Sequence, residues 1–398
     1  MSEINSHDKF DNSHLLNECT INQIDSGINN DPNISEQLYL ENNDTVDITS
    51  EESYMDINNF ESKLYSNNNL QILKEHNGAV CSLISLSDGL IASGSYDATI
   101  KIWKTTTGES LNSLKGHNSY VSSLVYLNDG KLASGSYDST IKIWNIQTGE
   151  CLHTLKGHSG CINSLISLSD GRLASGSEDK TIKIWKTKTG DCIKTLKGHT
   201  GYVWSLTSIS DDIIASGGND KTIRIWNIKT AECLYALNEH SGYVWSLITI
   251  SDGIIASGSN DMTIRIWNSK TGICINTLIG HSNSVYSLVS LNDNLLASGS
   301  NDTTIRIWNA ISGECLHTLN GHTGWVFSLI LLSDGMFASG SEDTTIRIWK
   351  ISTGECETTL NGHTDSILSL TSLPDGLIAS GSNDKSIRIW NFKSKIEE

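Results

Sequence analysis

A histidine and a tryptophan return through this chain every 41 residues. The histidines are His76, His117, His158, His199, His240, His281, His322 and His363; the tryptophans are Trp103, Trp144, Trp185, Trp226, Trp267, Trp308, Trp349 and Trp390. A fixed period of this length signals stacked units that cannot bury their apolar faces alone, and it overrides any domain count taken from chain length. The units cover about four-fifths of the 398 residues without an insertion, so each packs on its neighbours and the chain makes one repeat architecture.

Within a unit the residue types are those of strands and tight turns. An outer strand, Glu150-Cys151-Leu152-His153-Thr154-Leu155, leads through Lys156-Gly157-His158 to a segment carrying Ile162, Ser164 and Leu165. The link Ser169-Asp170-Gly171 has hairpin chemistry, because Gly and less readily Asp accept the positive φ of a tight turn. A second turn, Ser177-Glu178-Asp179-Lys180, opens Thr181-Ile182-Lys183-Ile184-Trp185. Apolar residues three apart, such as Val203 and Leu206, would face opposite sides of one strand. Both faces must then be covered, as in a small sheet between two neighbours, and four strands per repeat matches a propeller blade. The Gly and β-branched content excludes a helical solenoid.

A Gly-His pair, an Asp in a tight turn and a Trp ending the third strand, at these spacings over residues 70–391, resemble the WD-repeat (WD40) β-propeller family, including the eight-bladed propellers of F-box/WD-repeat substrate receptors. The resemblance implies that His, Ser, Asp and Trp form a buried hydrogen-bond network in each blade. Such sets are His117, Ser134, Asp138 and Trp144; His199, Ser216, Asp220 and Trp226; and His322, Ser339, Asp343 and Trp349. All eight are complete. The same residues suggest a hydrolytic triad, but a nucleophile needs an exposed hydroxyl and an oxyanion site in one cleft. Eight equivalent copies suit a structural motif, so no catalytic residue is expected. One departure from the family is systematic: the Asp expected after the Trp is Lys104, Lys186 or Lys350, or Asn145, Asn227, Asn268, Asn309 or Asn391.

Strand counting predicts how the ring closes. Eight strands end in Trp, and the eight residues after Trp390 are too few for another outer strand, whereas Leu70-Gln71-Ile72-Leu73 precedes Lys74-Glu75-His76 as Leu152 to Leu155 precedes Lys156-Gly157-His158. The expectation is an all-β, eight-bladed propeller over 69–393, closed by an N-terminal strand that removes the exposed edges of an open array.

The formal charge of −17 is concentrated in residues 1–68, which hold fourteen Asp and Glu against Lys9 and Lys63. Rich in Asn, Asp, Glu and Ser, this segment reads as a disordered acidic tail, and residues 394–398 as a short C-terminal tail. Thr49-Ser50-Glu51-Glu52 followed by Tyr54, Ile57, Phe60 and Leu64 predicts a short amphipathic helix near 50–65. Resting on the propeller wall and binding a partner are both open to it. The tail is too poor in apolar residues to resemble an F-box. Cys151, Cys192, Cys233, Cys274, Cys315 and Cys356 fall a blade apart, not in bonding pairs. With no CxxC pair, metal-ligand spacing, signal stretch or membrane-length apolar run, a cytoplasmic location without metal, cofactor or membrane partner is expected. No Lys/Arg cluster marks a nucleic-acid footprint.

Near-identical repeats turn variation inside the chain into information, because a position that varies is one that stacking does not dictate. Three residues after the histidine stand Ala79, Tyr120, Cys161, Tyr202, Tyr243, Ser284, Trp325 and Ser366. Five after it stand Cys81, Ser122, Asn163, Trp204, Trp245, Tyr286, Phe327 and Leu368. Before the turn Asp stand Tyr96, Tyr137, Glu178, Asn219, Asn260, Asn301, Glu342 and Asn383. In the resembling family these positions form the top surface around the channel mouth.

The first two positions are expected to share a strand face, so Tyr202, Trp204, Tyr243, Trp245, Tyr286, Trp325 and Phe327 form one aromatic arc, with Tyr96, Tyr120 and Tyr137 opposite. Aromatic clusters of this kind are binding hot spots; the same rings could instead plug the wide channel of an eight-bladed ring. With Glu178 and Glu342 at the rim, the face suits a protein or peptide offering apolar and basic groups to a non-enzymatic, monomeric scaffold. None of the twenty-four positions is Arg or Lys, which disfavours phosphopeptide recognition, since that requires Arg clusters. A ubiquitin-ligase substrate receptor is the alternative, and a ligand-binding or enzymatic propeller a more distant one. The mid-strand ring Lys101, Lys142, Lys183, Arg224, Arg265, Arg306, Arg347 and Arg388 reads as support for the blades.

Overall fold

The computed structural model describes residues 69–392 except Asp293. The tail, its helix near 50–65 and the last residues lie outside that span. β1 (Asn69–Leu73) comes first, and the strands that follow build eight four-stranded antiparallel sheets, each a blade. Blade 1 is β2 (Val80–Ser85), β3 (Leu90–Ser95), β4 (Thr99–Lys104) and β5 (Ser110–Lys115), from channel to rim. Blades 2 to 7 repeat this order over residues 121–155, 162–197, 203–237, 244–278, 285–319 and 326–360.

Blade 8 is the composite that strand counting predicts. Three of its strands, Ile367–Ser372, Leu377–Ser382 and Ile387–Asn391, come from the C-terminal end, and β1 supplies the fourth. Leu73 pairs with Ile387, Ile72 with Arg388 and Gln71 with Ile389. The protein is an eight-bladed propeller closed by its N-terminal strand.

Each interface between blades has its own core. Between blades 1 and 2, Ile100, Ile102 and Leu114 pack against Val121, Leu124 and Trp144, all buried; Val121 and Leu124, like Val203 and Leu206, join one core and do not straddle the strand as expected, because a bulge lies between them. Close nesting depends on the Gly of each Ala-Ser-Gly run: a Cβ on Gly381 would stand 2.7 Å from Val80 Cγ1 where the ring closes. Serine hydroxyls link the inner strands, with Leu247 N–H donating to Ser205 Oγ at 3.0 Å and, across the closure, Leu83 N–H donating to Ser369 Oγ at 3.2 Å.

The missing Asp after Trp has a local replacement. In Asn145, Asn227, Asn268 and Asn309 the side-chain oxygen accepts the backbone N–H groups two and three residues on, at 2.9–3.1 Å. Such an Asx turn needs an acceptor, not a charge. The mid-strand cations are also structural: Lys101 pairs with Glu75 at 3.0 Å and Arg265 with Glu239 at 2.6 Å. Arg306 lies over the Trp308 ring.

Candidate functional site: a plugged channel mouth ringed by aromatic side chains

In every blade the histidine bridges two turns. His322 Nδ1–H donates to Asp343 Oδ2 at 2.8 Å, Ser339 donates its hydroxyl to His322 Nε2 at 2.7 Å, and Trp349 Nε1–H donates to Ser339 Oγ at 2.8 Å. The carboxylate can only accept, so the ring donates from Nδ1, and the serine hydroxyl joins the other ring nitrogen to the indole N–H. The sets at His117 and His199 show the same bonds.

Each Asp also takes bonds from a residue that the His, Ser, Asp and Trp pattern does not include. Thr345 donates its hydroxyl to Asp343 Oδ1 at 2.7 Å and its N–H at 2.9 Å. The equivalent is Thr in seven blades and Ser386 in the eighth. Its signal was a hydroxyl residue two after every turn Asp. Burial alone would raise the Asp343 carboxyl, but the His322 bond, that imidazole's field and the Thr345 hydroxyl hold it well below the usual carboxylate range; the other seven turn Asp residues behave alike. Burial pushes the His363 imidazole below its ordinary value despite Asp384. The serines of all eight sets are fully buried. A substrate cannot reach those hydroxyls, so the network is architecture.

The aromatic positions divide in two, which corrects the expected single exposed arc. Residues five after the histidine sit at a bulge that recurs at the same place in all eight inner strands, as between Val203 and Ser205. A bulge inserts an extra residue and re-aims its side chain. Trp204, Trp245, Tyr286 and Phe327 therefore turn into the channel and form a buried cluster with Cys81 and Leu368; Trp204 is 2 % and Trp245 1 % exposed.

Residues three after the histidine precede the strand, and period-two alternation does not govern them. Tyr202, Tyr243 and Trp325 stand half-buried on top of this plug. Each meets a plug ring edge-on: Tyr202 with Trp204 at 6.0 Å, Tyr243 with Trp245 at 5.8 Å and Trp325 with Phe327 at 6.0 Å. Across the ring Tyr96 stacks on Tyr120 at 4.3 Å, and Tyr137 follows at 5.8 Å. Tyr120 is 40 % exposed.

Two acids complete the rim. Glu342 accepts the Trp325 N–H at 3.1 Å. The Glu178 carboxyl is raised by burial, which its bond with Cys161 only partly offsets, and the Cys161 thiol is pushed up to about 12 by burial and by Glu178. Beneath the plug lies a cavity of ≈ 430 Å³ lined by recurring serines and leucines. Trp204 Nε1 and Asn163 Oδ1, both on its wall, have no hydrogen-bond partner among the described residues. Among the described residues no group of three His, Cys, Asp or Glu side chains could hold a metal ion. No helix there is long and apolar enough to cross a membrane. Cys151, Cys192, Cys233, Cys274, Cys315 and Cys356 are free thiols.

The family model for the WD domain, G-beta repeat, matches the chain eight times, over residues 67–104, 108–145, 149–186, 190–227, 231–268, 272–309, 313–350 and 354–391. The chain belongs to the WD40 β-propeller family, whose members are characteristically non-enzymatic interaction scaffolds. Among solved structures it is similar to the computationally designed Ika8 protein, at 34 % identity and a TM-score of 0.75 over 81 % of this chain and 99 % of that one. It is also similar to the WD40 β-propeller domain of Doa1, at 26 % identity and a TM-score of 0.60 over 83 % and 99 %. Among curated proteins, the probable E3 ubiquitin ligase complex SCF subunit sconB of Aspergillus terreus is 50 % identical over 48 residues, 12 % of this chain and 7 % of that protein. The Neosartorya fischeri protein of that name is 48 % identical over 48 residues, with the same coverage. The match thus spans a small part of these relatives' length.

Proposed function

We propose that the protein is an adaptor whose top face binds a protein or peptide through the accessible rings Tyr120, Tyr202, Tyr243 and Trp325, with Tyr96 and Tyr137 extending the surface. The observation that carries this reading is the two-layer mouth. Buried rings at the bulge fix a floor, and amphipathic rings stand on it at positions where the other repeats carry Ala, Cys or Ser. Trp and Tyr packed on a rigid base give large contact area at low entropic cost. Trp204, Trp245, Tyr286 and Phe327 act beneath the surface by holding those rings.

The partner brings basic as well as apolar groups. Glu178 is a carboxylate whose burial exceeds its compensation, and a cation at that position relieves the imbalance. Affinity purification with the Tyr120→Ala, Tyr243→Ala, Trp325→Ala variant tests the reading. Partner recovery drops while the melting temperature stays near that of the parent; unchanged recovery refutes the face.

A second reading, substrate recognition within a ubiquitin-ligase complex, is favoured by the local similarity to the sconB proteins. It predicts co-purification of ligase subunits with the full chain. The absence of Arg and Lys from the variable top positions argues against a phosphorylated substrate.

A further inference from the structure

The outer strand of each blade is the edge of a four-stranded sheet, and a sheet edge can take up another strand. Most blades guard this edge with charge. The residue that opens or immediately precedes the outer strand is acidic in six of them: Glu109, Glu150, Asp191, Glu232, Glu314 and Glu355. Blade 5 alone puts an isoleucine there, Ile273, and after its outer strand, Ile273–Leu278, it has Ile279 where the others carry Lys or Asn. Residues 272–280 contain no charged side chain.

Exposure follows this sequence difference. Ile273 is 63 % and Ile279 77 % exposed, with Ile275 between them at 38 %. Burial alternates along the strand, so Ile273, Ile275 and Thr277 share the outward face while Leu278 is buried. Asn276, on the other face, donates to Ala310 O and Ile311 O at 2.9 and 2.7 Å, which ties the strand to blade 6 just after the bulge it carries at Ile275.

We infer that this edge pairs with the same edge of a second copy of the chain, through a two-fold axis at Asn276. The strand's pattern is self-complementary: antiparallel pairing centred there sets Ile273 opposite Ile279 and Ile275 opposite Thr277. Cross-strand pairs of β-branched side chains are the kind that stabilise sheets. A two-fold contact of identical patches closes on itself and leaves a dimer. Residues 272–280 themselves offer a charged peptide no counter-charge, whereas the same neutral strand meets them without desolvating an ion. The expected monomer does not take into account the isoleucines that set blade 5 apart.

Sedimentation of the full chain over a range of concentrations tests this, alongside Ile273→Glu with Ile279→Lys, which restores the residues of blade 2 and so is compatible with folding. The parent shows a concentration-dependent monomer–dimer equilibrium, and the variant weakens it by at least ~10-fold with an unchanged melting temperature. Glu314→Lys in blade 6 leaves the dimer intact. A parent that stays monomeric overturns the inference and leaves the edge to a strand from a different protein. A dimer insensitive to the double variant, or growth beyond dimers, also overturns it.

Discussion

The turn Asp concentrates the chemistry of each repeat, because one carboxylate holds a histidine, a threonine and two backbone N–H groups in place. Its folded-state pKa is depressed, so its contribution to stability is complete above the unfolded carboxylate range and is lost as pH falls through it, below about pH 4. His363 adds an earlier loss: the unfolded imidazole takes up a proton near pH 6.5 that the buried ring refuses. Urea midpoints should therefore fall on acidification from neutrality and drop steeply once the eight carboxylates titrate. A midpoint that rises between neutral and acidic pH would contradict the network.

The residue after each turn Asp is left-handed in all eight blades, although none is glycine. Thr303 and Thr344 adopt φ of 69°, where a non-glycine residue costs ~1–2 kcal/mol. Set against glycine's larger unfolded-state entropy, Thr344→Gly should stabilise the ring by ~0.5–1 kcal/mol, read as a higher denaturation midpoint. Of the residue-level picture, the His, Ser, Asp and Trp set was legible in the sequence because it repeats without exception. The Thr partner repeats almost as well, but its hydroxyl reads equally as an ordinary strand residue, and only geometry shows it donating to the Asp.

At the scale of the strand, pattern reading worked where alternation holds and failed where it breaks. The closing role of Leu70 to Leu73 follows from counting and from matching the residues before each histidine, and β1 pairs where that matching places it. The inner-strand bulge leaves no residue-type signature, since the positions around it are Val or Ile and Ser throughout while the bulged residue ranges from Cys81 to Trp245. Applying a period of two across it merges a buried ring of side chains with an accessible one.

The edge of blade 5 is legible only when the charges of the outer strands are compared blade by blade, since it differs from the rest at Ile273 and Ile279 alone. Deleting residues 66–75 removes β1 and leaves the third strand of blade 8 as an open edge. The melting temperature should fall by several degrees, as a loss of ~2 kcal/mol or more does in a ring of this size. An unchanged value would mean that blade 8 closes without β1.

Over the whole molecule, constancy and variation separate two tasks. Eight identical networks, eight nested glycines and a composite last blade build a closed, regular ring, while a few positions at one mouth depart from the pattern and carry large amphipathic rings. The central claim is that recognition resides in those departing, accessible side chains. The most direct measurement compares partner recovery by two variants matched for stability: the triple alanine change at Tyr120, Tyr243 and Trp325, and a conservative change in the layer beneath, Phe327→Leu. The account predicts that the first loses the partner while the second retains it. Equal recovery by both, at parental levels, would contradict it.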